Sequence, residues 1–209
     1  MEEDFFSDKE QWERVLKWLR EQGPWALAAV AVVAAGYAGW HYWQSRQEQH
    51  YVSAASRYEA LVEAFGSSNF DGGIKLADDL VRDFPSSGYA DQANLAVARY
   101  QVEHDELDKA LARLQQVVKS TKDPELALVA RLRVARVQLA LGKTDDALKT
   151  LDEVNPGAFA ARFAQARGDI LMSKGDRDGA LKAYKAARDG GDTVDSGLLD
   201  LKIDELAHS

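Results

Sequence analysis

The sequence predicts an all-α protein, in which a single N-terminal transmembrane helix is followed by a solenoid of about four helix pairs and a capping helix. Three observations predict this architecture. Twenty consecutive residues, 24–43, carry no Asp, Glu, Lys or Arg. A short helical pattern recurs later in the chain at intervals of 37 and 33 residues, and repeats of this period are typical of solenoids. No segment shows the alternation of apolar and polar residues that a strand requires.

The composition is that of a folded, acidic protein. Of the 209 residues, 46% are hydrophobic and 29% are charged, which excludes wholesale disorder. The 26 Lys and Arg residues against 34 Asp and Glu residues leave a net charge of −8. This acidity argues against nucleic-acid binding, because phosphate contacts need a basic face. The chain contains no cysteine, so disulfides, thiolate nucleophiles and cysteine-ligated zinc are excluded.

The first segment, 1–23, is predicted to form a short amphipathic helix. Ser7 followed by Glu10 matches a capping box, which satisfies backbone amides at a helix start. Gly23 and Pro24 are predicted to end this helix before the next segment begins. Its apolar stripe consists of Trp12, Val15, Leu16 and Leu19. Such a helix either lies in the membrane interface, which we favour, or docks on a partner.

The uncharged segment 24–43 is long enough to cross a bilayer, since about 20 helical residues span the hydrocarbon layer. It contains seven alanines, so it is only moderately hydrophobic, and a buried core helix is the alternative. A cleaved signal peptide is disfavoured, because residues 1–23 carry seven acidic and four basic side chains where a signal peptide has a short basic start. Aromatic residues flank the segment at the expected membrane interfaces; they are Trp25, Trp40, Tyr42 and Trp43.

The basic residues near the two ends of this segment indicate its orientation. Four Lys or Arg residues occur in the fifteen positions before it, against two in the fifteen positions after it. This difference favours a cytoplasmic N-terminus, with the domain at 44–209 on the far side of the membrane. Within the segment, Ala31, Ala35 and Gly39 fall four residues apart on one helix face. The spacing lets helices pack closely in lipid, although it also arises by chance in an alanine-rich run.

The domain at 44–209 contains three related helical phrases. Each begins with Ala-Leu, is completed four residues after the alanine by Leu or Tyr, and has a small residue twelve positions before the alanine. The small, alanine and closing residues are Ala98, Ala110 and Leu114, then Ala135, Ala147 and Leu151, then Gly168, Ala180 and Tyr184. The pattern is typical of tetratricopeptide (TPR) helix pairs, in which the small residue and the alanine face each other where two helices cross. Each pair leaves an apolar face that the next pair covers.

Two further features complete the predicted solenoid. A divergent first pair is indicated by helical stripes on either side of a turn at 67–69, and a last helix at about 195–206 is predicted to cap the stack. Turns inside the later pairs are marked by Gly142 and Gly175, with Asp105 at the matching position of the first phrase. The aromatic residue usual early in each first helix of TPR proteins is replaced here by Asn94, Arg131 and Ala164.

No catalytic, cofactor or metal site is predicted. Gly142-Lys143-Thr144 ends like a phosphate-binding loop, but the glycine required five residues before Gly142 is Val137. The four histidines are scattered without an i, i+4 partner, so a metal site is not expected. Neither a nucleophile elbow nor an H-E-x-x-H motif occurs. The sequence therefore favours a binding surface over an enzyme.

The candidate binding surface is the concave face that the first helices of stacked pairs line. The residues expected to point into it are Leu95, Arg99, Val102, Leu132, Arg136, Leu139, Asp169 and Met172. Arg99 and Arg136 lie on neighbouring repeats and could clamp a carboxylate or an acidic segment. The alternative is ordinary ion pairing with nearby acidic residues. We favour this alternative on the sequence alone, because exposed ion pairs and single arginines specify little.

Several short stretches, spread over nearly the whole chain, resemble one known family. They are Gly39-Trp40-His41-Tyr42-Trp43, Leu132-Arg133-Val134-Ala135-Arg136-Val137-Gln138, Ala147-Leu148-Lys149-Thr150-Leu151-Asp152, Arg167-Gly168-Asp169, Ser173-Lys174-Gly175-Asp176 and Gly179-Ala180. In this combination the chain resembles the YfgM-type family, the ancillary subunit of the SecYEG translocon. The resemblance implies a single-pass protein of the bacterial inner membrane with a cytoplasmic N-terminus and a periplasmic TPR-like domain.

The resemblance also implies partners and a role. The partners are the SecYEG translocon, a membrane-anchored periplasmic chaperone of the prolyl-isomerase type, and exported client chains. The role is to help newly exported proteins pass to periplasmic folding factors. The alternative is a structural envelope protein whose repeats organise cell-wall or division machinery. An anchor without signs of cleavage and the lack of a sustained heptad repeat favour the first role.

Overall fold

The computed structural model of the protein describes residues 8–191 and 196–207. Within these ranges the chain forms nine α-helices, one short 3-10 helix and no strand, which confirms the predicted all-α class. The α-helices are α1 (Asp8–Gly66), α2 (Phe70–Asp83), α3 (Gly88–Glu103), α4 (Leu107–Ser120), α5 (Pro124–Ala140), α6 (Thr144–Asp152), α7 (Ala160–Ser173), α8 (Arg177–Asp189) and α9 (Ser196–Ala207); the 3-10 helix is Gly157–Phe159. The chain divides into two compact units, 1–52 and 53–209.

The first unit contains the N-terminal part of α1. This helix continues through Gly23 and Pro24, so the predicted break at this point is wrong. Proline disfavours a helical residue before it partly through contact with that residue's Cβ. Gly23 has no Cβ, and the alanine-rich sequence that follows is a strong helix former. Ser7 of the predicted capping box lies outside the described residues.

The hydropathy of the helices bears on the predicted membrane span. None of the helices in the described ranges combines the length and the apolar character that a membrane span requires.

The second unit is a stack of helix pairs. The end of α1 pairs with α2, the pairs α3–α4, α5–α6 and α7–α8 follow, and α9 packs against α8. Four buried apolar clusters each join one pair to the next helix in the stack. They are centred on Leu61 and Val97, on Leu114 and Val134, on Leu151 and Ile170, and on Tyr184 and Leu199. The predicted solenoid of about four pairs with a final capping helix is confirmed.

Small residues mark the three helix crossings, as predicted. In each second helix the alanine is completely buried; these alanines are Ala110, Ala147 and Ala180. The small residues of the first helices are buried as well; they are Ala98, Ala135 and Gly168. At the third crossing the closing residue is Tyr184 rather than leucine, and a Cβ placed on Gly168 would lie only 2.4 Å from Tyr184 Cε1. The larger closing side chain therefore requires glycine at this crossing.

The turns inside the four pairs share one geometry. Each contains a residue in the left-handed region: Ser68 at φ 62°, Asp105 at 60°, Gly142 at 73° and Gly175 at 81°. In every case the amide of this residue donates to the carbonyl three residues earlier, and the amide of the next residue donates to the carbonyl five residues earlier, at 2.7–3.2 Å. The two non-glycine residues in this series confirm the predicted turns at 67–69 and 105.

Polar contacts fill two of the positions where TPR sequences usually carry an aromatic residue. Asn94 is buried, and its Oδ1 accepts a hydrogen bond from Arg113 Nη1 at 3.2 Å. Arg113 also forms an ion pair with Asp78 Oδ1 at 2.6 Å through Nη2. Arg131 pairs with Glu153 Oε2 at 2.9 Å. The first helices α3 and α5, which carry the candidate site, are thus tied to neighbouring helices by charged groups as well as by apolar packing.

Candidate functional site

A pocket of about 430 Å³ lies between α3 and α5, with α4 at its base. Four of the eight residues predicted for the concave face line it: Leu95, Arg99, Val102 and Arg136. The remaining lining residues are Ala98, Glu103, Leu114, Arg133 and Val137. The leucines, Ala98 and Val137 are buried, whereas the arginines and Glu103 are exposed. The pocket therefore has an apolar base and a charged rim.

Helix periodicity places these side chains together. On α3 the lining positions recur every three or four residues, and on α5 Arg133 lies three residues before Arg136, so each set shares one helix face. The small Ala98 lets α3 approach α4 closely, as its contacts in the buried cluster with Ala110 and Leu114 show. The pattern that packs the helices thus also fixes the spacing of the arginines.

The charges of the rim are not balanced within the pocket. Arg99 Nε lies 2.8 Å from Glu103 Oε1 on the next turn of α3, and this ion pair raises the pKa of Arg99. Among the described residues, neither Arg133 nor Arg136 has an acidic partner within 4 Å. Partial burial of the Arg133 side chain, and then the like charges of Arg136 and Arg99, lower the pKa of Arg133 from its usual value.

The other four predicted concave residues are not in the pocket. Leu132 is buried and Leu139 is half-buried in the cluster that joins α5–α6 to α7. Met172 packs against the cluster shared by α8 and α9. Asp169 Oδ1 accepts a hydrogen bond from Tyr184 Oη at 2.8 Å and pairs with Lys202 Nζ at 2.5 Å. Neighbouring helices therefore cover this part of the predicted face.

The Asp169 contacts change the ionisation of the tyrosine beside it. Burial, followed by the hydrogen bond to Asp169, raises the pKa of Tyr184 above its ordinary value. The Lys202 ammonium also lies 5.1 Å from the centroid of the Tyr184 ring. These groups attach α9 to α7 and α8, so their role is structural.

Sequence reasoning missed Arg133 and Glu103 at the pocket. Arg133 carries a usable signal, because it lies three residues before Arg136 on the same helix and so shares its face. Glu103 likewise lies four residues after Arg99. Both residues follow from the helical spacing once the register of α3 and α5 is known.

The predicted membrane residues all lie on α1 in the first unit. The aromatic side chains Trp25, Trp40, Tyr42 and Trp43 are exposed, and so are Ala31, Ala35 and Gly39. A Cβ added to Gly39 would meet no atom within 4 Å. Their assignment to a membrane interface and to a helix-packing face stays a prediction.

Two chemical observations bear on what the pocket can do. In the described part of the chain, no group of three or more His, Asp or Glu side chains is placed to hold a metal ion. The pocket lining offers hydrogen-bond donors from arginine and an apolar surface. This combination suits the binding of an anionic group that carries apolar atoms.

Comparison with known proteins places the chain in a family. The Tetratricopeptide repeat-like domain family matches residues 16–208. A protein of Escherichia coli (strain K12) named ancillary SecYEG translocon subunit is 36% identical over 207 residues, covering 98% of this chain and 99% of its own. The chain belongs to the family of ancillary SecYEG translocon subunits. A family member of Haemophilus influenzae is 30% identical, covering 90% of this chain and 92% of its own, and one of Neisseria gonorrhoeae is 29% identical over 88% and 90%.

Solved structures support the fold of this translocon-subunit family member. The crystal structure of the MamA protein matches with a TM-score of 0.55 at 15% identity, covering 74% of this chain and 86% of that one. A second MamA structure gives a TM-score of 0.51 at 16% identity, over 70% and 87%. At this level of identity the likeness concerns the helical repeat fold alone.

Proposed function

We propose that this chain is a non-enzymatic adaptor of the bacterial inner membrane that associates with the SecYEG translocon. In this role its periplasmic TPR-like domain helps hand exported proteins to periplasmic chaperones. The observation that carries the proposal is the 36% identity, over 98% of the chain, to a relative named ancillary SecYEG translocon subunit. The match extends over the N-terminal segment as well as the helix pairs, which supports a role that uses both.

The proposed anchor is segment 24–43. Twenty residues without a charged side chain extend for about 30 Å in a helix, which is the thickness of the hydrocarbon layer. The exposed aromatic rings at its two ends suit the interfacial regions of a bilayer. The excess of basic residues before the segment supports a cytoplasmic N-terminus and a periplasmic domain.

The proposed partners contact different surfaces. The translocon spans pack against the anchor along the face of Ala31, Ala35 and Gly39, because small residues let helices approach closely in lipid. A membrane-anchored chaperone of the prolyl-isomerase type and exported client chains use the helix pairs, where the pocket beside Arg136 is available.

In-cell photocrosslinking tests the proposal. A photoreactive amino acid is placed at Ala35 on the small-residue face, at Tyr37 or Trp40 on the other side of the same helix, and at Arg136 in the pocket. Lys182, exposed on α8, is the matched control position for Arg136. Translocon adducts from Ala35 and chaperone or client adducts from Arg136 are expected, with weaker adducts from the controls.

Two other crosslinking results would contradict parts of the proposal. If cell-wall or division proteins are the sole adducts, the adaptor role is wrong and the structural envelope role replaces it. Equal translocon adducts from Ala35, Tyr37 and Trp40 would contradict the assignment of the packing face while leaving the translocon association in place.

A further inference from the structure

The pocket between α3 and α5 carries an uncompensated positive charge in an acidic protein. Its lining contains three arginines and one glutamate, which gives it a net charge of +2, whereas the whole chain has a net charge of −8. A basic pocket of this kind attracts acidic ligands, and the net negative charge of the whole chain repels polyanions of high charge density.

Two of the three arginines of the pocket lack the ion pairs that most other arginines of the helix pairs form. Seven arginines are in ion pairs with acidic side chains: Arg57, Arg82, Arg99, Arg113, Arg131, Arg167 and Arg188. Arg133 and Arg136 have no such partner among the described residues. They lie one helix turn apart above buried apolar side chains, and this arrangement lets both guanidinium groups bind one ligand.

The charge and the apolar base together define the ligand. Two carboxylates are needed to neutralise a net charge of +2, and a free C-terminal carboxylate supplies only one. The base of Leu95, Leu114 and Val137 accepts an apolar side chain. An internal peptide segment with two acidic residues around an apolar residue satisfies both requirements.

We infer that this pocket binds an acidic–apolar segment of a partner protein, with its carboxylates on Arg133 and Arg136 and its apolar side chain on the base of the pocket. The inference rests on the proposed adaptor function and names the kind of segment that the adaptor recognises. Bidentate pairing of guanidinium with carboxylate gives the contact its orientation. Glu103 holds Arg99 in the free protein and competes with the incoming carboxylates for it.

Fluorescence anisotropy with the purified full-length chain tests the inference. The probe is the labelled peptide Gly-Asp-Leu-Asp-Phe-Gly with an amidated C-terminus, and its counterpart has Asn in place of Asp. The acidic peptide is expected to bind at least about tenfold more tightly than the Asn peptide, since charged pairs supply the selectivity. Raising the salt concentration from about 50 to about 500 mM is expected to weaken binding by screening these charges.

Variants distinguish binding at the pocket from nonspecific attraction of the acidic peptide to positive charges elsewhere on the protein. Arg133→Gln with Arg136→Gln is expected to weaken binding of the acidic peptide at least about tenfold. The matched control is Lys182→Gln with Lys185→Gln, which removes the same charge at the same spacing from exposed positions on α8 and is expected to change binding less than about twofold. Glu103→Gln is expected to strengthen binding, because it releases Arg99. Circular dichroism verifies that each variant is folded.

Three results would overturn the inference: equal binding of the Asp and Asn peptides, equal losses in the arginine and lysine variants, or binding that needs a free C-terminal carboxylate instead of acidic side chains. Failure here is distinguishable from failure of the adaptor function. Crosslinking to the translocon from Ala35 does not depend on the pocket, so it persists if only the peptide inference is wrong.

Discussion

Asp105 occupies a turn position that is costly for any residue with a side chain. Its φ of 60° lies in the left-handed region, where a Cβ approaches the following carbonyl oxygen and raises the energy by about 1–2 kcal/mol. The equivalent turns of the next two pairs contain Gly142 and Gly175 with the same hydrogen bonds. The turn geometry is therefore set by the repeat, and the residue at this position adapts to it.

Replacing Asp105 by glycine is expected to stabilise the domain. The relief of strain exceeds the entropy that glycine adds to the unfolded chain, so the free energy of unfolding rises by about 0.5–1 kcal/mol. Urea denaturation of the full chain, followed by circular dichroism, measures the change. Gly142→Ala is the reverse control: a Cβ there meets no atom within 4 Å, so its expected loss of about 0.5–1 kcal/mol reports the backbone strain less the entropy that glycine adds to the unfolded chain. An Asp105→Gly variant less stable than the parent would contradict this account.

At the scale of elements, the sizes of the two facing residues are matched at each helix crossing. Two crossings combine alanine in the first helix with leucine in the second, as Ala98 with Leu114 shows. The third combines Gly168 with Tyr184, and the ring occupies the space where an alanine Cβ would lie. At this crossing the tyrosine ring from the second helix thus fills the space that an alanine Cβ from the first helix fills at the other two.

Gly168→Ala is therefore expected to destabilise the chain by about 1–3 kcal/mol through overpacking. Adding Tyr184→Leu recreates the alanine–leucine combination of the other crossings, so the double variant is expected to recover part of the loss. Thermal unfolding of the two single variants and the double variant completes a double-mutant cycle. Strictly additive losses would show that the ring and the glycine are not coupled. Part of the tyrosine's contribution, its hydrogen bond to Asp169, is lost in both variants that carry leucine.

The helix pairs were predictable from sequence because their information is local. The alanine and closing positions fall at fixed offsets within about one repeat, and all three sets occupy the crossings as predicted. The predicted helix break at Pro24 was wrong because the preceding residue is glycine, which has no Cβ to clash with the proline ring. The residues of the candidate site were predicted correctly only where no neighbouring helix covers them. Leu132 and Asp169 face α7 and α9 respectively, and this coverage depends on how successive pairs stack, which local spacing does not encode.

At the scale of the whole molecule, the distribution of charge sets the proposed orientation in the membrane. The lack of native cysteine makes single-cysteine labelling free of background. In spheroplasts, a membrane-impermeant maleimide is expected to label Lys182→Cys readily and to label Lys9→Cys only after the membrane is permeabilised, because positive residues are retained on the cytoplasmic side. Labelling of both positions before permeabilisation would reject the proposed topology. Labelling of Lys9→Cys alone would reverse it.

The sharing of each apolar cluster between one helix pair and the next has a consequence for how the stack responds to force or to a competing partner. A helix pair inside the stack is covered by neighbours on both sides, whereas the two ends are covered on one side only, so the stack frays inward from its ends. Helix α9 is attached through the cluster around Leu199 and the Lys202 contact with Asp169, far along the chain from α3 and α5. A partner that displaces α9 therefore leaves the arginine pocket assembled, and capture of one segment at the pocket is compatible with remodelling of the C-terminal end.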